Sequence, residues 1–151
     1  MKRPWAALGM VLALSVFMPE TSAAQVQTQS NGTRQSRPGM SLGQNYPNPF
    51  NPETSIPFGV GDPPTCSDQG KQHRVSLRIY NLLHQLVAVP VLKGGNFAGQ
   101  PLDGLSLQCG EYVAYWSGKD IRTGREAASG VYLFRLEVDG KTLLNKGFSV
   151  K

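Results

Sequence analysis

The sequence predicts an all-β protein, an antiparallel sandwich of about seven strands. Three observations carry that expectation. Short runs alternate apolar and polar residues, as where Val75, Leu77 and Ile79 interleave with Arg74, Ser76 and Arg78, the pattern of a strand with one buried face. Breakers separate the runs: the chain holds 17 Gly and 11 Pro, residues that shape turns and end strands. Beyond an amino-terminal apolar run, no segment sustains the period of an amphipathic helix.

The elements follow in chain order. Lys2 and Arg3 precede an apolar run from Trp5 to Met18, and Ser22, Ala23 and Ala24 follow it. A basic start, a short apolar core and small residues before the cut describe a secretory signal peptide over residues 1–24, cleaved between Ala24 and Gln25. The run falls short of the about 20 apolar residues that a membrane-spanning helix needs. No cysteine follows the cleavage region, so a lipid anchor there is not expected. Residues 25–40 are rich in Gln, Ser, Asn, Gly and Arg, a composition that reads as a disordered linker. One domain is then expected over residues 41–151.

Within it, Ile56, Phe58 and Val60 alternate in a first strand, and Pro57 implies an edge strand or a position whose missing N–H would face solvent. Gly59 to Gln72 reads as a polar loop, and Val75 to Ile79 as the next strand. A turn over Tyr80 to His84 leads into a strand from Leu86 to Leu92, then a long glycine-rich loop from Lys93 to Gln108. Tyr112, Ala114 and Trp116 share a face; Ser117 to Ser129 is a polar turn region. Tyr132, Phe134, Leu136 and Val138 alternate up to Asp139-Gly140, a strong hairpin signal. A last strand from Leu143 to Val150 should therefore pair antiparallel with its predecessor. Tyr46, Phe50, Phe58, Trp116, Tyr132, Phe134 and Phe148 are the expected aromatic core, each worth roughly 1.5–3 kcal/mol when buried.

Charge and chemistry narrow the function. The formal net charge is +5, but the basic residues are spread and do not interleave with stacking aromatics, so nucleic-acid binding is not expected. A basic surface leaves attraction to acidic surface polysaccharide or lipopolysaccharide open. Cys66 and Cys109 are the 2 cysteines, and in an exported chain they point to a single disulfide worth about 2–4 kcal/mol. His73 and His84 are the 2 histidines; no zinc-protease, nucleophile-elbow or phosphate-loop motif accompanies them. Asp62, Asp68, Asp103 and Asp120 lack the dense spacing of a calcium loop. Gly118, Gly124 and Gly130 read as turn residues. No enzyme, cofactor, metal or small-molecule substrate is expected.

The most distinctive stretch runs from Leu42 to Phe58 and contains Asn45-Tyr46-Pro47-Asn48-Pro49-Phe50-Asn51-Pro52. Each proline ring fixes φ and removes a donor, and the asparagines can fold back on the main chain. A stiff extended lead-in results, with Tyr46 and Phe50 as pegs. This string resembles the opening of the C-terminal sorting domains of type IX secretion cargo. Those domains share an immunoglobulin-like fold with the C-terminal part of the flagellar hook-capping protein. Three further blocks are similar: Val75 to Val87; Gly110 to Asp120 around Trp116 and Gly118; and Ala128 to Leu136 with Gly130, Val131 and Tyr132, closing at Lys146 to Lys151. The chain departs from the family pattern at His84, where a glycine is common, and at Ser117, where an Asp is usual. Gly147 and Ser149 stand where larger apolar residues are frequent. The resemblance implies an immunoglobulin-like sandwich, Sec delivery to the periplasm, and recognition by the type IX outer-membrane machinery, with residence in the periplasm, at the outer-membrane surface or outside the cell. It places recognition on the last strand, at Lys146, Val150 and Lys151. The alternative is a free-standing structural or adhesive sandwich that binds a protein partner, by strand addition, or a surface glycan.

Overall fold

The computed structural model describes residues 33–151, which form ten strands in two antiparallel sheets and no helix. The signal peptide and its cleavage at Ala24–Gln25 lie outside the described residues. In chain order the strands are β1 (Gln35–Arg37), β2 (Met40–Leu42), β3 (Thr54–Val60), β4 (Gln72–Tyr80) and β5 (Leu86–Ala88). They continue with β6 (Val91–Leu92), β7 (Asp103–Gln108), β8 (Gly110–Trp116), β9 (Gly130–Val138) and β10 (Lys141–Ser149). One sheet runs β1-β2-β3-β8-β6; the other runs β10-β9-β4-β5, with β7 also on β4. The inward residues are those the alternation marks: Ile56, Phe58 and Val60 from one sheet, and Val75, Leu77, Ile79, Phe134 and Leu136 from the other, all buried. The predicted all-β sandwich is therefore present, and Asp139-Gly140 makes the β9–β10 turn with φ values of 49° and 79°.

Several details differ from the sequence reading. Ordered structure begins before Ser41: β1 pairs with β2 through a turn at Pro38-Gly39, where Gly39 has φ 84°. Composition hid this strand because all of its side chains are exposed. Its order comes from the backbone ladder and from Arg34, which reaches Ser41 at 2.7 Å and Glu111 at 2.6 Å.

The stretch from Leu86 to Leu92 is two strands, not one. β5 pairs with β4, whereas β6 pairs with β8 in the other sheet. Pro90 lies between them, and a residue without an N–H interrupts a ladder. The expected loop from Lys93 to Gln108 contains β7, whose Leu105 and Leu107 carry the period-two signal. Gly104, at φ 71°, sits where the β4–β7 register shifts.

Pro57 is not on an edge strand, since β3 lies between β2 and β8. Gly43 donates its N–H to Pro57 O at 2.8 Å, and Pro57 has no N–H to return. The Gly43 carbonyl is taken instead by Asn145 Nδ2 at 3.1 Å, so the missing donor is replaced by a side chain from β10. Finally, Tyr46 and Phe148 are not core: they are 52% and 41% exposed.

Candidate functional site

The signature string and the closing strand, some hundred residues apart in sequence, form one unit. Asn45 begins it. Its buried amide donates to Pro47 O at 3.0 Å and Thr54 Oγ1 at 2.9 Å, and accepts from Gln44 Nε2 at 2.7 Å. This folds the proline-rich chain over the end of β3; the peptide bonds before Pro47, Pro49 and Pro52 are cis. Phe50 then enters the core, with ring centroids 5.3 Å from Trp116 and 6.1 Å from Tyr132. Trp116 and Tyr132 meet edge-on at 5.3 Å, an arrangement that aromatic quadrupoles favour. Their polar tips are satisfied locally: Trp116 Nε1 donates to Lys119 O at 3.0 Å, and Tyr132 OH to Ala128 O at 2.7 Å. Burial pushes the Tyr132 phenol pKa up. Gly118 has φ 76°, and a Cβ there would lie 2.0 Å from Pro52 O. The glycine is therefore what lets the string close over the core.

From this base the string grips β10. Phe50 N donates to Phe148 O at 2.8 Å and Val150 N to Phe50 O at 3.0 Å. Asn48 Oδ1 accepts from Phe148 N at 2.9 Å, and Gln44 Nε2 donates to Lys146 O at 2.9 Å. Asn145 adds the bond to Gly43 O and a second to Thr33 O at 3.2 Å. An outer strand normally presents a row of unpaired backbone groups; here side chains and backbone of the string occupy that row from the Lys146 carbonyl to the Val150 N–H, and Asn145 Oδ1 takes the Lys146 N–H. Gly147 is required by its neighbours. A Cβ at that position would stand 2.6 Å from both Asn45 Oδ1 and the Phe134 ring, so a larger residue would evict the asparagine that organises the string.

The clamp fixes one face of the strand outward. Leu144, Phe148 and Val150 are 50%, 41% and 49% exposed. Lys146 is exposed between them. Opposite them on β9, the register places Val131 beside Phe148, Leu133 beside Lys146, and Arg135 beside Leu144. The face is apolar with cations set into it, and a shallow groove lined by Leu133, Leu144 and Phe148 crosses it. Lys146 thus lies on β10 and Val150 just past its end, whereas Lys151 is drawn to the loop before β9. Its N–H donates to Ser129 Oγ at 3.0 Å, and its amine lies 3.8 Å from Glu126. Gly130, at φ 153°, opens β9 there.

At the other end of the sandwich, Cys66 and Cys109 form a disulfide across a sequence separation of 43, which is consistent with an oxidising, extracytoplasmic compartment. Nearby, His73 Nδ1 and Asp139 Oδ2 are 2.7 Å apart. Asp120 and Arg122 pair in the loop before β9, and the Arg122 guanidinium holds the Asp120 carboxyl below its ordinary pKa. Among the described residues no group of His, Cys, Asp and Glu could hold a metal ion, and no helix is long and apolar enough to cross a membrane.

Sequence reasoning found the string, Trp116, Gly118 and Tyr132, but missed Gln44, Asn145 and the His73–Asp139 contact. Asn145 left no usable signal, because β10 does not alternate cleanly: Leu144 and Phe148 face outward while Asn145, Gly147 and Ser149 are buried. Gln44 left none either. No family model, curated protein or solved structure matches the chain.

Proposed function

We propose that this chain is a non-enzymatic exported domain whose closing strand is the element read by type IX outer-membrane export and surface-attachment machinery. One observation supports this reading above others. The string that carries the resemblance is spent on holding β10 at its outer edge, by Phe50, Asn48 and Gln44. A strand end that would otherwise fray becomes a stiff, presented surface of Leu144, Lys146, Phe148 and Val150. Rigid presentation lowers the ordering cost a partner must meet on binding. Lys146 and Val150 are the recognition residues in this reading, and Lys151 anchors the terminus.

The test is a reporter fused ahead of residues 33–151, behind a signal peptide, in a host that has the machinery. The intact fusion is expected at the cell surface. Lys146→Glu combined with Phe148→Ser changes only outward side chains, so the melting temperature should hold while the reporter accumulates in the periplasm. Surface delivery of that variant at the intact level overturns the assignment to β10, and periplasmic retention of the intact fusion overturns the sorting reading itself.

A second reading, a free-standing adhesive sandwich, draws on a different part of the same strand. From Thr142 to Leu144, no strand is hydrogen-bonded to the outer side of β10 among the described residues, although β1 lies close to it, and an edge without a ladder can accept a partner strand.

A further inference from the structure

The turn between β4 and β5 runs against the usual chemistry of turns. Its sequence is Asn81-Leu82-Leu83-His84-Gln85, and Leu82 and Leu83 stand 62% and 78% exposed at its centre. Turn tips ordinarily carry Gly, Asn, Asp, Ser or Pro. A shallow hollow joins this turn to the loop between β8 and β9 and is lined by Leu82, Leu83, Asp120 and Arg122. Ile121, between the last two, is 58% exposed. Three large aliphatic residues thus gather in solvent at one end of the sandwich.

Their backbone is held stiffly. Asn81 Oδ1 accepts the N–H groups of Leu83 and Gln85 at 2.9 and 3.0 Å, and Asn81 O accepts that of His84 at 3.0 Å. The Asn81 N–H donates in turn to Gln85 O at 3.1 Å. The two loops also brace each other. Gln85 Oε1 accepts from Asn81 Nδ2 at 2.8 Å and from Arg122 at 2.7 Å, and Ile121 N donates to Val87 O at 2.8 Å.

Two features choose the occupant. A partner strand needs free backbone groups to pair with, but the N–H groups of Asn81, Leu83, His84 and Gln85 are spent inside the turn. Backbone satisfied in this way can enter a lipid phase, where an unmet polar group is costly. Charge is placed to suit as well. Arg122 borders the leucines with its side chain 42% exposed, whereas Asp120 is buried against it and Glu126 lies beside Lys151. The exposed charge beside the tip is therefore a guanidinium, whose fork matches a phosphate.

We propose that this tip inserts into the surface of a phospholipid bilayer. Leu82, Leu83 and Ile121 enter the boundary between headgroups and acyl chains, and Arg122 meets lipid phosphates. Attachment through so small an apolar area is weak and reversible, and it strengthens with anionic lipid. The tip uses neither Lys146, Phe148 nor Val150, so it stands apart from the closing-strand reading.

Co-flotation of the exported protein with phospholipid vesicles on a density gradient tests it. The protein should rise with vesicles of mixed phosphatidylcholine and phosphatidylglycerol. Leu82→Ser combined with Leu83→Ser should weaken that binding at least about tenfold, through lost apolar area. Both side chains are exposed, so the melting temperature should hold. Leu83→Trp reads insertion directly. Its emission should shift to the blue when vesicles are added and be quenched by lipids brominated on the acyl chains, while the buried Trp116 is unaffected. Failure to float, flotation of the double serine variant at the wild-type level, or an unshifted emission from Leu83→Trp would each overturn the proposal.

Discussion

The two ends of the sandwich are held by different means. At the end where β3 starts, a noncovalent clamp joins the proline string to β10 through Phe50, Asn48, Gln44 and Asn145. At the end where β3 finishes, the Cys66–Cys109 disulfide ties a polar loop to the β7–β8 junction. The clamp end buries a large aromatic. At the disulfide end the tied loop itself stays in solvent, with Ser67, Asp68 and Gly70 exposed and the two cysteines half-buried beside the buried Met40 and Val138. A disulfide acts chiefly by restricting the unfolded chain, whereas the clamp acts only in the folded state. The covalent end can therefore carry a variable polar loop, and the clamp end cannot vary without opening the core.

The sharpest way to break that comparison is Phe50→Ala. Phe50 is fully buried against Trp116 and Tyr132, and truncating such a side chain costs roughly 3–5 kcal/mol. Urea denaturation should show that loss. The near-ultraviolet circular dichroism of the native protein should change as well, because the ring packed on Trp116 is gone. A variant with unchanged stability would make Phe50 a peripheral contact and remove the basis of the clamp.

Reducing the disulfide is the matching experiment at the other end. A closed loop of this length constrains the unfolded chain by up to about 4 kcal/mol on the entropic account. Reductant, or Cys66→Ala with Cys109→Ala, should lower stability by about 2–4 kcal/mol and leave the near-ultraviolet signal of the Phe50 cluster intact. A collapse of that signal on reduction would mean the two ends are coupled rather than independent.

Gly147→Ala probes the clamp with a single methyl group. Its Cβ would press on Asn45 Oδ1 and the Phe134 ring, and overpacking of this kind costs about 1–3 kcal/mol. A loss in that range in urea denaturation, with amide exchange rising at Phe148 and Val150, fits displacement of the string. Neutral stability would show that the string has slack the geometry denies.

The same contrast governs what the sequence made legible. The β-sandwich could be read because its core strands, such as Val75 to Ile79 and Tyr132 to Val138, alternate cleanly against charged residues. Phe50 and Trp116 were legible as core because large aromatics beside strand patterns seldom stay exposed. Tyr46 and Phe148 defeated that rule: which face each occupies depends on pairing with Ser55 and Val131, a long-range register no local pattern contains. The clamp was invisible for the same reason. Its bonds join Asn48 to Phe148 and Gln44 to Lys146, and neither partner alone is unusual. Strand β1 escaped because backbone pairing, not apolar burial, orders it.

The smallest expected effect belongs to the disulfide end and concerns pH. Asp139 sits in the β9–β10 turn, accepts the Arg74 N–H at 2.9 Å and meets His73 Nδ1 at 2.7 Å. Burial pushes its carboxyl pKa up, but the Arg74 amide, the His73 ring and Lys71 outweigh that and hold it below the ordinary 3.8. A carboxyl with a depressed folded pKa stabilises the fold above its unfolded pKa, and that contribution is lost as pH falls through the folded value. The side chain is 42% exposed, so screening limits the contribution to about 1 kcal/mol or less. Asp139→Asn keeps a residue that tolerates the positive φ of this turn while removing the charge. The variant should melt below wild type at neutral pH, and the gap should narrow as pH drops below 3.8. A gap of equal size at pH 7 and at acid pH would assign the difference to hydrogen-bond geometry rather than charge. The disulfide end would then have no pH-dependent tie at Asp139.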